Sequence, residues 1–435
     1  MVNRANAFCL TVVDGTFDIK PLSTDSICTP SSVAAHTLYE KTRPDILVGP
    51  GGSLDLTKSK YEALSDGRSV RVRGGNFLWL RDFNQPYKVK LEAARVKGYR
   101  SIFMGGFRDP ILIAQIDKVL EMVKAYVARI NSKSVGQFEL GFHAYGKNGI
   151  MGTLEPGDPS YLPREVFLIG EVLAATQTMA TDIASLARVA CVHGSYAGQR
   201  ATSGNFAFGI GGKNVIELGS CAEFCIYHLL PIEAGTEGAC WLGATDDPPG
   251  AAHRVFSWSM KQIGRAEKRS NVSRTTTLAS SKETKSPKPP HQFAIDARPE
   301  TLADIAPVIR SKNAGPYEIT IDVIFSSLPI YNLVKSSGLL SASLIAKLYH
   351  IPEEGIIWSG FFDQAMAFKA TIPRRLMIEV TGEDGNKTKT LENFTSGGFM
   401  ETDVHASQQY VGLLTLPLNQ RFKEGMEELL VKMLS

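Results

Sequence analysis

SIFMGGFRDPILIAQIDKVLEMVKAYVARI, Ser101 to Ile130, changes its hydrophobic period halfway along. The first six residues are a short apolar run of strand type, and Asp109-Pro110 then supplies an N-cap followed by a proline at the first helical position. Beyond that point Ile113, Ile116, Leu120, Val123, Val127 and Ile130 recur at helical spacing. Strand, turn, helix is the economical reading, and the rhythm continues. EVFLIGEVLAA (165–175) predicts a strand, and TQTMATDIASLARVACVH (176–193) a helix with Ala, Ile, Leu and Val along one side. The expected fold class is α/β.

Between Gly264 and Glu300 the composition shifts to RAEKRSNVSRTTTLASSKETKSPKPPHQF, rich in Ser, Thr, Lys and Pro. Such a stretch buries too little apolar surface to offset the ordering of its backbone. The expected organisation is therefore an α/β domain over 1–263, a disordered linker over 264–300 and a smaller α/β domain over 301–435. In that last part TLADIAPVIRS and SASLIAKLYH read as helices, and YEITIDVIF, IIWSGFF and AMAFKATI as strands. Phe422, Met426, Leu429, Leu430 and Met433 form one stripe of an amphipathic helix, which the reading docks on its own domain.

Bulk numbers exclude several function classes. A net charge of +3, from 47 basic against 44 acidic residues, gives no footprint for nucleic acid. No run of apolar residues is long enough for a membrane span, and the N-terminus lacks an export signal. The 6 cysteines lack regular spacing and read as reduced thiols, so a cytoplasmic location is expected. Cys221, Cys225 and His228 lie in a strand-like alternation that sets the two cysteines about 13 Å apart at about 3.3 Å per residue, too far for one tetrahedral zinc. Neither a phosphate loop nor a dinucleotide fingerprint occurs, and no cofactor is expected.

Polar constellations remain. In YEITIDVIF, alternation puts Glu318, Thr320 and Asp322 on one strand face and Ile319, Ile321 and Val323 on the other. Arg310, Lys312 and Asn313 precede that strand, and KATIPRR adds Lys369 and Arg374. Cations beside a polar strand face suit carboxylate or phosphate recognition, although a solvent-facing edge strand would show the same pattern. TDVHASQQY carries Asp403, His405, Gln408 and Gln409, in which Asp-x-His can orient an imidazole. GFHAYGKNGIMGTLEP (141–156) reads as a Gly-rich loop lining a site, with His143 and Glu155. HGSYAGQRATSGNFAFG offers Arg200 and Asn205 as an anion seat.

Several of these stretches carry a family resemblance. VAAHTLYE, YKVKLEAARVKGYRSIFMGGFRDPILIAQID, GFHAYGKNGIMGTLEP, TQTMATDIASLARVACVHGSYAGQRATSGNFAF and EFCIYHLLPI resemble the C-terminal half of the AtuA family, associated with acyclic terpene utilisation. From Thr301 onward, TLADIAPVIRSKNAGPYEITIDVIF, LIAKLYHIPEE, MAFKATIPR and DVHASQQ are similar to a small uncharacterised domain that usually accompanies AtuA as a separate chain. Two departures stand out: the family normally has a further N-terminal region, and residues 375–400 form an insertion between the last two motifs.

The resemblance implies hydration, dehydration or isomerisation of a carboxylate or acyl-CoA. The leading expectation is a lyase or isomerase for a small hydroxy- or unsaturated carboxylic acid. In that expectation Arg200, Asn205, Arg310, Lys312, Asn313, Lys369 and Arg374 bind the anionic substrate, and His143, Glu155, His405, Glu318 or Asp322 move the proton. A non-catalytic subunit for a partner enzyme and a metal-dependent hydro-lyase using His193 and His405 are the competing readings. Fusion of two normally separate chains implies that they touch, and a dimer is expected.

Overall fold

The computed structural model describes residues 7–11, 15–23, 26–134, 136–156, 161–200, 203–207, 213–232, 298–381, 387–393 and 395–434. The expected linker over 264–300 falls almost wholly outside them. The chain is α/β, and its residues gather into two compact units. One draws on Met1–Val33, Asp45–Leu91 and Tyr227–Gln292, the other on Ala34–Pro44, Glu92–Ile226 and Phe293–Ser435. Among the described residues no helix is long and apolar enough to cross a membrane.

The first unit is built from short strands: β1 (Ala7–Thr11), β2 (Phe17–Pro21), β3 (Ile46–Gly49), β4 (Gly52–Asp55), β5 (Lys60–Ala63), β6 (Val70–Arg73) and β7 (Asn76–Trp79). They form two sheets, ordered β1-β2-β6-β5 and β3-β4-β7. The small helix α1 (Pro30–Ala34) leads to the segment that the second unit takes up. Val33, Val70 and Val72 are the buried centre of a small cluster.

The second unit holds two α/β layers. In the first, β8 (Lys88–Phe107, of which 92–107 belongs to this unit), β9 (Phe138–Tyr145), β10 (Val166–Ala174) and β11 (Ile216–Pro231, of which 216–226 belongs to it) are ordered β11-β8-β10-β9. Helices α2 (Pro110–Ile113), α3 (Ile116–Ile130) and α4 (Gln177–His193) complete the layer. Asp109 caps α2 by accepting from Ile111 N with Pro110 inside the first turn, as its sequence predicts. Val166, Leu168, Val172 and Ala174 of β10 and Phe103 and Phe107 of β8 share a core with Ile116, Leu120, Val123 and Val127 of α3 and Ile183, Ala184 and Ala187 of α4. Alternation then sends Arg100, Gly141, His143 and Glu171 to the other sheet face. The expectation of a loop at 141–156 is corrected there: residues 141–145 are the end of β9, and His143 stands on a strand.

In the second layer, β12 (Val308–Ala314), β13 (Glu318–Ile324), β14 (Trp358–Phe362) and β15 (Ala367–Pro373) form a sheet ordered β12-β13-β15-β14, every pairing antiparallel. The helix expected for TLADIAPVIRS is also corrected. Leu302–Asp304 makes one 3-10 turn closed by a Thr301–Asp304 capping box, and Val308–Ala314 pairs with β13 as a strand. Pro307 separates the two, since it disfavours helix in the residue before it.

Ile319, Ile321 and Val323 of β13 and Phe368, Ala370 and Ile372 of β15 enter the core with α5 (Leu328–Ser337) and α6 (Ala342–Leu348). A hairpin of β16 (Arg375–Thr381) and β17 (Lys387–Asn393) occupies most of the 375–400 insertion. After α7 (Val411–Leu414), α8 (Gln420–Leu434) puts Phe422 and Met426 into the same core, so the amphipathic stripe covers its own domain. The start and end of this layer meet: Leu302 N donates to Leu416 O at 2.9 Å and Leu418 N to Glu300 O at 2.9 Å.

Candidate functional site

Register decides what the polar face of the second sheet does. Arg310 on β12 and Lys369 on β15 both stand opposite Asp322 on β13, so one carboxylate lies between a guanidinium and an ammonium. Arg310 Nε donates to Asp322 Oδ2 at 2.9 Å and Lys369 Nζ to Oδ1 at 3.0 Å. Both cations also reach the Ala34–Pro44 segment: Lys369 Nζ donates to Leu38 O at 2.7 Å and Arg310 Nη2 to Ala35 O at 3.3 Å. Thr371 Oγ1 donates to Thr42 O at 2.7 Å, and Thr42 Oγ1 to Glu318 Oε2 at 2.6 Å. Lys312 sits 3.5 Å from Glu40 and above the Tyr39 ring. This face therefore receives a piece of its own chain. Lys369 is 0% exposed, and desolvation pulls its ammonium below the ordinary lysine range against the opposing pull of Asp322.

A second constellation surrounds a cavity of about 120 Å³ where the two layers of this unit meet. His143, Asn148 and Met151 line it from the first layer; Ile319, Arg374, Met400, Glu401 and Gln409 line it from the second. His143 Nε2 lies 2.9 Å from Glu171 Oε2, both residues being buried. Their contact follows from the register, in which Gly141 faces Glu171 and His143 faces Ile169, setting the two side chains diagonally on one face. Glu171 also lies 3.4 Å from Arg100 Nη1 and accepts from Met400 N at 3.1 Å. Met400 presents that N–H from a left-handed backbone with φ of 66°, and its sulfur occupies the space that a side chain at Gly141 would need.

Opposite charges cancel pairwise here. Arg374 pairs with Glu401, and its Nη1 and Nη2 also reach Asp403 O and Val404 O. Burial pushes the Glu401 carboxyl up, with Arg374 pulling it back. Two buried polar atoms of cavity-lining residues have no partner: Arg374 Nε, a donor, and Gln409 Oε1, an acceptor. The Gln409 amide is oriented by its Nε2, which donates to Asp403 Oδ2 at 3.0 Å. Buried groups without partners cost stability unless an ordered water or a ligand satisfies them.

The sequence-predicted residues thus separate into distinct places. His143 and Arg374 share the cavity. Arg310, Lys312, Lys369 and Glu318 hold the Ala34–Pro44 segment, and Asp322 pairs with Arg310 and Lys369 beneath it. Asn313 N donates to His405 O at 3.1 Å, and the His405 side chain is exposed. Asp403 does not orient that imidazole; it accepts from Ser407 N, Gln408 N and Gln409 Nε2 and closes a local turn, which corrects the Asp-x-His reading. Glu155 and Arg200 are exposed. Asn205 bonds Gly194 O at 2.6 Å and Gln199 Nε2 at 2.9 Å, a loop-closing role. Among the described residues no group of three His, Cys, Asp or Glu could hold a metal.

Glu171, Glu401, Met400 and the role of Gln409 escaped the sequence reading. A signal for Glu171 was present, because IGEVLAA places one carboxylate inside an apolar strand, where burial demands a partner. No curated protein and no solved structure matches the chain. Residues 302–417, the layer that begins at the capping box and contributes Arg374, Glu401 and Gln409, match the family described as a domain of unknown function, DUF4387.

Proposed function

We propose that the cavity is an acid/base site for a small oxygenated acid or its thioester, and that the protein is a lyase or isomerase. The observation that carries this reading is the buried His143–Glu171 pair at 2.9 Å on a cavity that Arg374 also lines. With Nε2–H donating to Glu171, Nδ1 keeps its lone pair, the arrangement of a base held in one tautomer by a carboxylate. His143 takes a proton from the carbon next to the substrate carbonyl, and the electron pair moves onto the carbonyl oxygen. Arg374 stabilises that charge. The imidazolium returns the proton to a different carbon in isomerisation. In dehydration it hands the proton to the departing β-hydroxyl, which leaves as water.

The resemblance of the upstream layer to the AtuA family supports the same reaction class, and a cytoplasmic dimer belongs to the same proposal. The test uses the full chain in D2O with hydroxy- and unsaturated C3–C6 acids and their pantetheine thioesters. Proton NMR should record deuterium entering next to the carbonyl, and His143→Ala should abolish it; exchange at an undiminished rate in that variant defeats the proposal. A second reading, a non-catalytic subunit, draws on the Arg310–Lys369 face, which already grips a peptide segment. Turnover by the isolated protein excludes it.

A further inference from the structure

The two unpartnered atoms specify more than an acid. Arg374 has both terminal nitrogens engaged by Glu401 and main-chain carbonyls, which leaves Nε–H to donate. Asp403 holds the amide nitrogen of Gln409, which fixes Oε1 as an acceptor with nothing to accept from. Both side chains belong to residues at most 5% exposed, so neither atom can be left to bulk water. An occupant that satisfies both must carry an acceptor and a donor, and a hydroxyacyl group supplies the two in one compact molecule. A carboxylate or thioester alone supplies the first and leaves Gln409 Oε1 unsatisfied. Volume sets the scale: a dry cavity of about 150 Å³ holds a six-carbon ring, so about 120 Å³ holds roughly six non-hydrogen atoms.

Charge agrees with this. Arg374 is balanced by Glu401 and Arg100 by Glu171, so the cavity has no surplus fixed charge with which to attract anions indiscriminately. Selectivity must come from hydrogen bonds.

Resting on the acid/base reading of the same cavity, we propose that it selects a compact hydroxyacyl group, with the acyl oxygen on Arg374 Nε and the hydroxyl donating to Gln409 Oε1. Gln409 is then the residue that distinguishes the hydroxylated partner of the reaction from its deoxy or unsaturated counterpart. A free acid and a thioester share this chemistry.

The experiment measures binding to the full chain by titration calorimetry: lactate against propanoate, 3-hydroxybutanoate against butanoate, and the same pairs as pantetheine thioesters. The hydroxylated member should bind at least about 10-fold more tightly, because a site built to bond a hydroxyl rejects the analogue lacking it. Whichever arm binds, acid or thioester, identifies the form taken. Gln409→Met should level the members of each pair. His143→Ala should keep the hydroxyl preference while losing deuterium exchange, which separates this inference from the acid/base reading. Equal binding within the wild-type pairs, no binding of any hydroxylated probe, or a preference that survives in Gln409→Met overturns the inference.

Discussion

Lys369→Met tests whether the polar sheet face is structural. The ammonium is 0% exposed, 3.0 Å from Asp322 Oδ1 and 2.7 Å from Leu38 O. Methionine matches the stem in volume, so the change removes charge and donors without opening a large void. Breaking a buried pair from one side costs about 3–5 kcal/mol because a desolvated charge is left behind. Here Arg310 still holds Asp322 Oδ2 at 2.9 Å, which places the loss near the lower end, about 3 kcal/mol. At a slope of about 3 kcal/mol/M, the urea midpoint of the transition that exposes β15 should fall by about 1 M. Hydrogen exchange of Ala367–Ile372 amides across a urea series reads that transition directly. The double variant Asp322→Leu/Lys369→Met should recover part of the loss, since it removes the stranded carboxylate while leaving Arg310 without its partner. A fall under about 0.3 M, or a double variant less stable than the single one, would refute the reasoning.

Other outcomes are equally concrete. Glu171→Gln should lower the deuterium-exchange rate about 10²- to 10⁴-fold, as expected where a carboxylate fixes the tautomer of a base, with circular dichroism unchanged. Burial pushes the Glu318 carboxyl up, while Thr42 and Lys369 pull it back. The folded chain then binds more protons than the unfolded one between the ordinary glutamate pKa and the raised value, so this residue's contribution to stability falls as pH rises through that window. Glu318→Gln should therefore gain stability relative to wild type as pH rises above the ordinary glutamate range in urea titrations; a gap constant with pH counts against it. Gly170→Ala sets a methyl group 2.2 Å from the Phe103 ring in a packed core and should cost about 1–3 kcal/mol in the unfolding of the first layer.

What the sequence revealed depended on whether the signal was local. Asp109-Pro110 located the start of α2, and the 3.6-residue recurrence behind it located α3, although the helix breaks between them at Ala114 and Gln115. Alternation in YEITIDVIF separated Ile319, Ile321 and Val323 from Glu318, Thr320 and Asp322, and the core confirms that division. TLADIAPVIRS misled because Leu302 and Ile305 have helical spacing, yet a single 3-10 turn satisfies it and the pairing partner of Val308–Ala314 begins only at Glu318. GFHAYG misled because glycine signals a loop, whereas Gly141 sits in a strand to admit the sulfur of a residue more than 250 positions later.

The polar residues divide for the same physical reason. Alternation assigns a face but carries no information about what covers that face. Arg310, Lys369 and Asp322 read as an anion seat because cations on an uncovered sheet would attract one; coverage by the Leu38 and Ala35 carbonyls, over 270 positions upstream, turns the same atoms into a structural clamp. His143 and Arg374 differ in one physical respect: around them, buried hydrogen-bonding capacity is left over. Unspent capacity inside a cavity, rather than residue type or charge, separates a candidate site from a well-satisfied polar core, and it can be counted only once the partners are in place.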